Sequence, residues 1–597
     1  MPLRIEDYAL IGDCQTAALV ARDGSIDWLC LPRFDSGTCF AALLGTPEHG
    51  RWLIAPVGGV RKVNRRYRPG TLVLETVFET EDGEVAVIDF MPPRSQVPEL
   101  IRVVEGRRGR VPMHLELVIR FDYGSIIPWV RHLDRGLSAI AGPDRIRLRT
   151  GVELHGIDYR TVAEFAVAEG QCEIFELAWQ PTHLPEPREF AVLRALEETE
   201  QWWRDWSARC PDEGEWTEAV ARSLITLKAL TYAPTGGLVA AATTSLPEQL
   251  GGVRNWDYRY CWLRDATFTL MALLHAGYVE EARAWREWLL RAVAGEPSKI
   301  QIMYGLAGER RLTEMELPWL PGYEGSGPVR LGNAASQQFQ LDVYGEVLDA
   351  MHQGFRHGLK PTEDSRRVAL GLLDFLESNW DQPDEGIWEV RGKRRHFTHS
   401  RMMAWVAFDR AVRVVEWLGV EAPLQRWRSL RDEIHAQVCR EGYDAEVGAF
   451  VQFYGSRRLD ASLLMMPLVG FLPPHDVRVR GTIEAIQREL VTDGFVHRYA
   501  PDPEVDGLPA GEGVFLLCTF WLADCLALMD RHADARRTFE RLLSVRNDVG
   551  LLSEMYDPAR GRLLGNFPQA FSHVGLVNTA LSLRRGLSGP SSQRGRG

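Results

Sequence analysis

The residues best suited to chemistry lie at 254–265, where the sequence reads RNWDYRYCWLRD. Four aromatic residues are interspersed there with three arginines and two aspartates. Arginine and aspartate side chains can bind the adjacent hydroxyl groups of a sugar, while aromatic rings cover its apolar face. The alternative is a buried Arg–Asp pair with a purely structural role. The pattern favours a polar pocket with an aromatic wall.

Two glutamates elsewhere could carry acid and base catalysis. Glu389 directly follows Trp388, and desolvation of a carboxyl against an indole favours the protonated form that a general acid requires. Glu554 lies in a second polar segment, LSEMYD at 552–557. Each is only one of 81 acidic residues, so neither indicates a site alone. Together they supply the pair of carboxyl groups that glycoside hydrolysis uses.

Three further polar residues lie in segments with the composition of loops. Arg330 belongs to a glycine-rich run at 322–333, which lacks the spacing of phosphate-binding and dinucleotide-binding loops. Arg498 lies in HRYAPD and Glu512 in AGEGVF. Because its glycine neighbours leave Glu512 as exposed as Glu554, Glu512 is the main rival for the role of base.

The elements that must hold these segments change type near residue 190. Hydrophobic residues alternate with mostly polar ones over 113–121, and 71–80 and 84–91 flank a predicted hairpin turn. Further strands are predicted near 100–105, 145–155 and 163–179. Several antiparallel strands without intervening helices indicate a β-sandwich, which we assign to residues 1–190.

Beyond residue 190 the apolar residues recur with the period of a helix. An apolar stripe from 192 to 206 predicts a linker helix within 191–214. Twelve further helical stretches are predicted at 216–232, 262–276, 279–295, 337–357, 363–379, 398–418, 424–442, 460–470, 476–490, 513–530, 533–545 and 570–585. The connections after odd-numbered helices are long, and those after even-numbered helices are short.

These six helical hairpins suit a closed α/α barrel, which we assign to residues 215–587, followed by a flexible tail at 588–597. Helices joined by short loops run antiparallel, so all the long loops emerge at one end of the barrel. Every candidate residue lies in or beside a long loop. We therefore expect the functional site at that end.

The composition excludes several classes of function. With 69 basic and 81 acidic residues the net charge is −12, which offers no electrostatic surface for nucleic acid or an anionic membrane. The nine cysteines are scattered, without a CxxC pair or zinc spacing, as in reduced cytosolic proteins. No signal peptide or long apolar stretch occurs, so we predict a cytoplasmic protein. The oligomeric state stays open, with a homo-oligomer among the alternatives.

In their order along the chain, the motifs closely resemble glycoside hydrolase family 15, which includes glucoamylases and bacterial and archaeal α,α-trehalases. The resemblance spans nearly the whole chain. It begins with IGDCQTAALV at 11–20 and DWLCLPRFDS at 27–36, which are similar to the family's prokaryotic N-terminal β-sandwich, and ends with NFPQAFSH at 566–573. It implies an (α/α)6 barrel as the catalytic domain, in agreement with the six hairpins.

The resemblance also implies roles for individual residues. It places the general acid at Glu389 and the general base at Glu554. It matches Tyr258 to a tyrosine beside the reacting carbon and residues 262–265 to the family's grip on the non-reducing-end glucose. The implied substrate-binding residues are Tyr258, Trp262, Arg264, Asp265, Arg330, Trp388, Arg498 and Glu512.

The implied reaction is hydrolysis of a small α-glucoside with inversion, releasing β-glucose from the non-reducing end. It needs two carboxyl groups roughly 6.5–9.5 Å apart and no metal or other cofactor. We favour α,α-trehalase, because the sequence shows no secretion signal or starch-binding module. The alternatives are a glucoamylase or α-glucosidase acting on malto- or isomalto-oligosaccharides and, in another class, a non-catalytic sugar-sensing regulator. The intact Glu389, Glu554, Arg264 and Asp265 weigh against the regulator.

Overall fold

The computed structural model describes residues 3–185, 191–212, 214–419, 421–509 and 511–584. Within these ranges the chain forms an antiparallel β-sheet unit, a linker helix and a helical barrel, which confirms the predicted fold class. The tail predicted at 588–597 lies outside the described residues, and the division at residues 190, 214 and 587 stays a prediction. No helix in the described ranges is both long and apolar enough to cross a membrane.

The N-terminal unit contains fifteen antiparallel strands in the described residues. They are β1 Tyr8–Gly12, β2 Ala17–Ala21, β3 Ser25–Cys30, β4 Thr38–Phe40, β5 Arg51–Pro56, β6 Val60–Tyr67, β7 Leu74–Thr80, β8 Gly83–Phe90, β9 Glu99–Val118, β10 Trp129–Leu133, β11 Gly136–Ala141, β12 Asp144–Thr150, β13 His155–Ile157, β14 Arg160–Ala168 and β15 Cys172–Pro181. One layer contains β1–β5, β13 and β14, the other contains β6–β8, β10–β12 and β15, and β9 belongs to both.

The 20-residue strand β9 joins the two layers. Its first half pairs with β8 and β15, and its second half pairs with β5 and β14. Arg102, on the first half, is buried and donates to the carboxylate of Asp89 in its own layer. It also donates to the backbone oxygens of Trp52 and Gly24 in the other layer, at 2.8 and 2.7 Å. These bonds hold the layers together as a β-sandwich.

Four strand predictions were wrong in their boundaries, and one of them, near 145–155, is β12, which ends at Thr150. The strands expected near 100–105 and 113–121 are both part of β9, because a bulge at Arg107 shifts the register without ending the strand. The single strand expected over 163–179 is β14 and β15 joined by a turn. Apolar residues continue on both sides of that turn, so the alternation alone does not reveal it.

The linker helix, Val192–Ser207, leads into the barrel. The barrel helices are α1 Thr217–Ala229, α2 Ala266–His275, α3 Val279–Val293, α4 Asp342–Arg356, α5 Glu363–Asn379, α6 Thr398–Leu418, α7 Leu424–Glu441, α8 Met465–Leu468, α9 Val477–Glu489, α10 Leu516–Leu528, α11 His532–Leu543 and α12 Ala570–Arg584. A 3-10 turn at Ala461–Leu464 precedes α8, and a short additional helix at Pro503–Asp506 lies in the connection between α9 and α10.

The even-numbered helices form the inner ring of the barrel, and the odd-numbered helices lie outside it. All 13 residues of α10 are buried, whereas α11 buries only Ala535, Phe539 and Leu542. Helices α2, α4 and α6 contact one another in turn, α6 contacts the 3-10 turn that precedes α8, α10 contacts α8 and α12, and α12 contacts α2. The ring is thus closed, and the long connections all run from an outer helix to the next inner helix.

Four inner helices begin later than the sequence predicts. Helices α2, α4, α8 and α10 start four, five, five and three residues after the predicted positions. Cys261–Trp262 is instead a short strand paired with Met303–Tyr304, and Val514–Phe515 pairs with the strand Met555–Asp557. Apolar residues in these pairs continue the helical spacing by coincidence, so the periodicity extends the predicted helices too far.

Candidate active site

A pocket opens at the end of the barrel that carries the long connections. Its walls come from the connections that follow α1, α5, α9 and α11. The lining residues are Glu248, Arg254, Trp256, Tyr258, Arg264, Trp388, Glu389, Arg391, Arg498, Leu508, Phe515, Glu554 and Gln569. Six of the ten candidate residues named from the sequence are among them, and both candidate catalytic glutamates face the same space.

The four other candidates lie next to the pocket without lining it. Trp262 lies behind Glu389 and donates to it, and Asp265 accepts from Arg264 at 3.1 Å. The side chain of Glu512 is fully buried against arginine side chains. The guanidinium of Arg330 donates to backbone oxygens and lies 4.7 Å from the centre of the Trp256 ring, so Arg330 supports the pocket wall from outside.

Glu389 is held at one carboxyl oxygen. Its Oε1 accepts hydrogen bonds from Trp262 Nε1 at 2.7 Å and from Arg264 Nη1 at 3.2 Å. Arg264 is itself fixed by the backbone oxygen of Ile387 at 3.0 Å. Both donors act on Oε1, and among the described residues no hydrogen bond reaches Oε2, which is therefore the oxygen available to exchange a proton with a ligand.

The backbone at Glu389 adopts an uncommon conformation. Its φ angle is 58°, in the left-handed region that residues other than glycine rarely occupy. Gln338 Nε2 donates to the backbone oxygens of Glu389 and Val390 at 3.2 and 3.0 Å and thereby fixes this turn. Strained backbone of this kind is concentrated at functional sites, where surrounding contacts hold a side chain in one direction.

Glu554 is fixed by both its side chain and its backbone. Tyr258 Oη donates to Oε1 of Glu554 at 2.7 Å. The backbone of Glu554 bonds to Asn566 and Leu516 in the neighbouring segments. Gly565, with φ of +71°, passes so close that a Cβ there would lie 2.5 Å from Oε2 of Glu554. The side chain of Glu554 therefore requires glycine at this position.

Arg498 links two further buried glutamates beside Glu554. Its Nη2 donates to Glu248 Oε2 at 2.8 Å, and its Nε and Nη2 both donate to Glu512. Burial raises the pKa of Glu554, and the charge of Glu248 adds to this effect. Burial also raises the pKa of Glu248, an effect that the positive charge of Arg498 opposes. This wall of the pocket is thus a dense set of buried charges.

Asp265 is the partner of Arg264 rather than a lining residue. Burial raises the pKa of Asp265 to about 6, while the adjacent Arg264 guanidinium acts in the opposite direction. Arg264 bridges this carboxyl and Glu389. The pair of Arg264 and Asp265 therefore forms a rigid polar support beneath the candidate acid.

Several lining residues were missed by the sequence analysis. Glu248 lies in SLPEQ, a segment with no glycine, aromatic or arginine beside the acid to single it out. Gln569 is buried with its Oε1 unpartnered within the described ranges, so it offers an acceptor to a ligand. Arg391 follows Glu389 by two residues, and this proximity was the only signal available for it.

Alternate residues of the first long connection face opposite directions. Trp256 and Tyr258 line the pocket, whereas Asp257 and Arg259 face the β-sandwich and form a buried ion pair at 2.7 Å. Arg259 also donates to the hydroxyl of Tyr123 in the sandwich at 2.8 Å. Both interpretations of the sequence pattern are therefore correct for part of this segment. Trp256 and Tyr258 form the pocket wall, and Asp257 and Arg259 form the structural ion pair.

Replacing Arg259 by methionine should lower the free energy of unfolding by about 3–5 kcal/mol, because Asp257 would stay buried without its cation. Urea-induced unfolding measures this change. Arg194→Met is the matched control, since it removes one member of the exposed pair of Arg194 and Glu198 on the linker helix and should leave stability unchanged. Equal stabilities for the two variants would contradict the role of Arg259 at the interface.

Comparison with known sequences identifies relatives for both parts of the chain. The profile of glycosyl hydrolases family 15 matches residues 214–581, and a profile described as trehalase-like, N-terminal, matches residues 1–178. A trehalase of Mycobacterium tuberculosis is 38% identical over 97% of this chain and 90% of its own length. A trehalase of Thermoplasma acidophilum is 36% identical over 95% of this chain and 98% of its own.

Two more distant similarities widen the comparison. An isomaltose glucohydrolase of Kribbella flavida is 30% identical over 41% of this chain and 62% of its own length. The crystal structure of a bacterial glucoamylase complexed with acarbose superimposes with a TM-score of 0.74 over 100% of this chain and 97% of its own. Its 13% identity establishes a common fold alone.

In the described residues no group of three or more His, Cys, Asp or Glu side chains could hold a metal ion. From the matched profiles and the full-length relatives, the chain belongs to glycosyl hydrolases family 15 and is a glycoside hydrolase.

Proposed function

We propose that the protein is an α,α-trehalase that hydrolyses trehalose to two glucose molecules with inversion. The observation that carries this proposal is that Glu389 and Glu554 line one narrow pocket whose other walls are mainly arginine and aromatic side chains, with one amide, one leucine and the further carboxyl of Glu248. Such walls suit a neutral sugar with many hydroxyl groups. Trehalase relatives that align with nearly the whole chain support the choice of trehalose.

In this proposal Glu389 is the general acid. Its free oxygen, Oε2, carries the proton and gives it to the glycosidic oxygen as the bond to C1 breaks. Trp262 and Arg264 hold Oε1, so the carboxyl group cannot rotate away from the bond. Orientation of this kind supplies much of the effect of a positioned acid.

Glu554 is the general base in the same proposal. Ionised Glu554 removes a proton from a water molecule, which attacks C1 on the face opposite the departing oxygen. Glu512, the rival named from the sequence, has a fully buried side chain that is bonded to Arg498 and Arg254. The carboxylate of Glu512 is bonded to two cations and is not among the residues that line the pocket, so it cannot reach the attacking water.

The second glucose of trehalose would lie against Trp256, Arg391 and Leu508. These lining residues are half-buried, as are Tyr258, Arg264 and Glu389, whereas Glu248, Arg498 and Glu554 are buried. The guanidinium of Arg391 lies 4.8 Å from the centre of the Trp256 ring. An indole face with an adjacent guanidinium is suited to one sugar ring and its hydroxyl groups.

Substrate preference is tested by measuring kcat/KM for trehalose, maltose and isomaltose with the same preparation. We expect the highest value for trehalose. A higher value for maltose or isomaltose would replace trehalase by the glucoamylase or isomaltose-hydrolysing alternative, with the same two glutamates. Absence of glucose release from all three sugars would favour the non-catalytic regulator.

We further propose a cytoplasmic location, on the evidence of the cysteines. All nine are free thiols, and six of them are buried. Buried unpaired thiols are common where the redox environment is reducing. Disulfide-linked peptides in protein taken directly from its own cells would contradict this location.

A further inference from the structure

Glu248 is the buried carboxyl in the pocket for which the mechanism above has no use. It lies in the first long connection, on the same wall as Arg498 and Glu554. Its backbone is fixed, because its N–H donates to the backbone oxygen of Arg254 at 3.1 Å and its backbone oxygen accepts from Gly513 at 2.8 Å. The side chain is only 3% exposed, so it is held in place on every side.

We propose that Glu248 is a positioning residue, whose carboxylate orients Arg498 toward the bound sugar and whose negative charge controls the ionisation of Glu554. This inference rests on the proposed function, in which Glu554 is the base and the pocket binds glucose. It adds a third carboxylate to the two that act directly.

The first part of the role follows from how Arg498 is bonded. Glu248 and Glu512 occupy Nε and Nη2, which form one edge of the guanidinium plane. Within the described ranges Nη1 has no hydrogen-bond partner, and Arg498 lines the pocket. With one edge fixed, the planar group can present only Nη1 to a sugar hydroxyl.

The second part follows from the count of buried charges. Four carboxyl groups, those of Glu248, Asp506, Glu512 and Glu554, surround the two guanidinium groups of Arg254 and Arg498. Glu248, Asp506 and Glu512 each bond directly to a guanidinium group. Glu554 bonds instead to the neutral hydroxyl of Tyr258. Glu554 therefore has to ionise in the presence of the other carboxylates, which opposes the loss of its proton.

The direction of the resulting pH dependence is determined by which form of Glu554 is active. Only ionised Glu554 can act as base, so kcat/KM must fall as the pH drops through its pKa. Burial and the charge of Glu248 both raise that pKa, while Arg498, Tyr258 and Arg264 oppose the rise. Removing the charge of Glu248 should move the acidic limb of the profile to lower pH. The charged or titratable groups that face this wall are Glu248, Arg254, Tyr258, Arg264, Glu389, Arg498, Tyr499, Asp506, Glu512 and Glu554.

The test is the pH profile of kcat/KM for Glu248→Gln, measured on trehalose. Glutamine keeps an oxygen that can accept from Arg498 but carries no charge. We expect the acidic limb to move to lower pH by about one unit, with a smaller loss of kcat than Glu554→Gln causes. Glu248→Asp keeps the charge, so its acidic limb should stay closer to that of the wild type. An unmoved limb in Glu248→Gln overturns the proposal.

Asp506→Asn is the matched control for this measurement. It removes one carboxylate from the same buried network, but Asp506 bonds to Arg254 at 2.8 Å and does not line the pocket. We expect a smaller shift of the limb, and an equal shift would overturn the specific role of Glu248. Should Glu248→Gln not fold, as judged by its melting temperature, Glu248→Leu offers a second uncharged side chain with the same expected shift. It should also raise KM, since Arg498 loses an acceptor.

Failure of this inference can be told apart from failure of the proposed function. If Glu554→Gln retains turnover, the assignment of the base is wrong and the role of Glu248 falls with it. If Glu554→Gln is inactive while the limb of Glu248→Gln stays in place, the proposed function survives and only the role of Glu248 is lost.

Discussion

Replacing Glu389 by glutamine should reduce kcat on trehalose by about 10²- to 10⁴-fold, the usual contribution of a positioned acid. The glucose that departs from trehalose is a poor leaving group unless its oxygen receives a proton. An amide has nearly the same shape as the carboxyl and can still accept from Trp262 and Arg264, but it cannot supply that proton. The melting temperature should therefore change little, while kcat measured on trehalose falls.

A substrate with a better leaving group provides the control for Glu389. Fluoride departs without protonation, so Glu389→Gln should retain far more activity on α-glucosyl fluoride than on trehalose. For each substrate the activity of the variant is divided by that of the wild type. Comparing these two quotients separates proton donation from effects on binding. Equal losses on both substrates would show that Glu389 is not the acid.

Replacing Glu554 by glutamine should reduce kcat by about 10³-fold on both trehalose and α-glucosyl fluoride, because each reaction needs an activated water. Tyr258 can still donate to the amide oxygen, and Gly565 still leaves room for the side chain, so the fold should survive. Comparison of kcat for the two substrates therefore separates the roles of Glu554 and Glu389. A variant that is slow on trehalose alone would contradict the role of Glu554 as base.

Glu512→Gln completes this comparison. Within the described residues the carboxylate of Glu512 bonds to Arg498 and Arg254, so its loss should act mainly on KM, through the orientation of Arg498. Near-normal turnover by Glu554→Gln together with an inactive Glu512→Gln would reverse the assignment of the base.

Much of the architecture could be predicted because helical periodicity and loop length are visible in a sequence. The apolar stripe at 192–206 predicts the linker helix. The long connections after α1, α5, α9 and α11 place the candidate glutamates at one end of a barrel. The starts of α2 and α10 could not be predicted, because apolar residues in the short strands before them continue the helical spacing. These short strands pair with Met303–Tyr304 and Met555–Asp557, which lie about 40 residues further along the chain and in other connections.

The candidate site was predictable where residues form a dense local pattern, as Tyr258, Trp262 and Arg264 do. Glu248 shows what such reasoning misses. Its importance comes from Arg498, which is 250 residues away in the chain and 2.8 Å away in space. Glu512 shows the opposite failure, since glycine neighbours predicted exposure while two arginines bury the carboxylate. Pairing between distant loops cannot be inferred from one sequence.

The most direct test of the central claim is the initial ratio of α- to β-glucose released from trehalose, followed by ¹H NMR before mutarotation. Inversion at C1 releases the attacked glucose as the β anomer, while the departing glucose keeps its α configuration. We therefore predict equal initial amounts of α- and β-glucose. Release of α-glucose alone would indicate retention and would contradict an attack on C1 by a water that Glu554 activates.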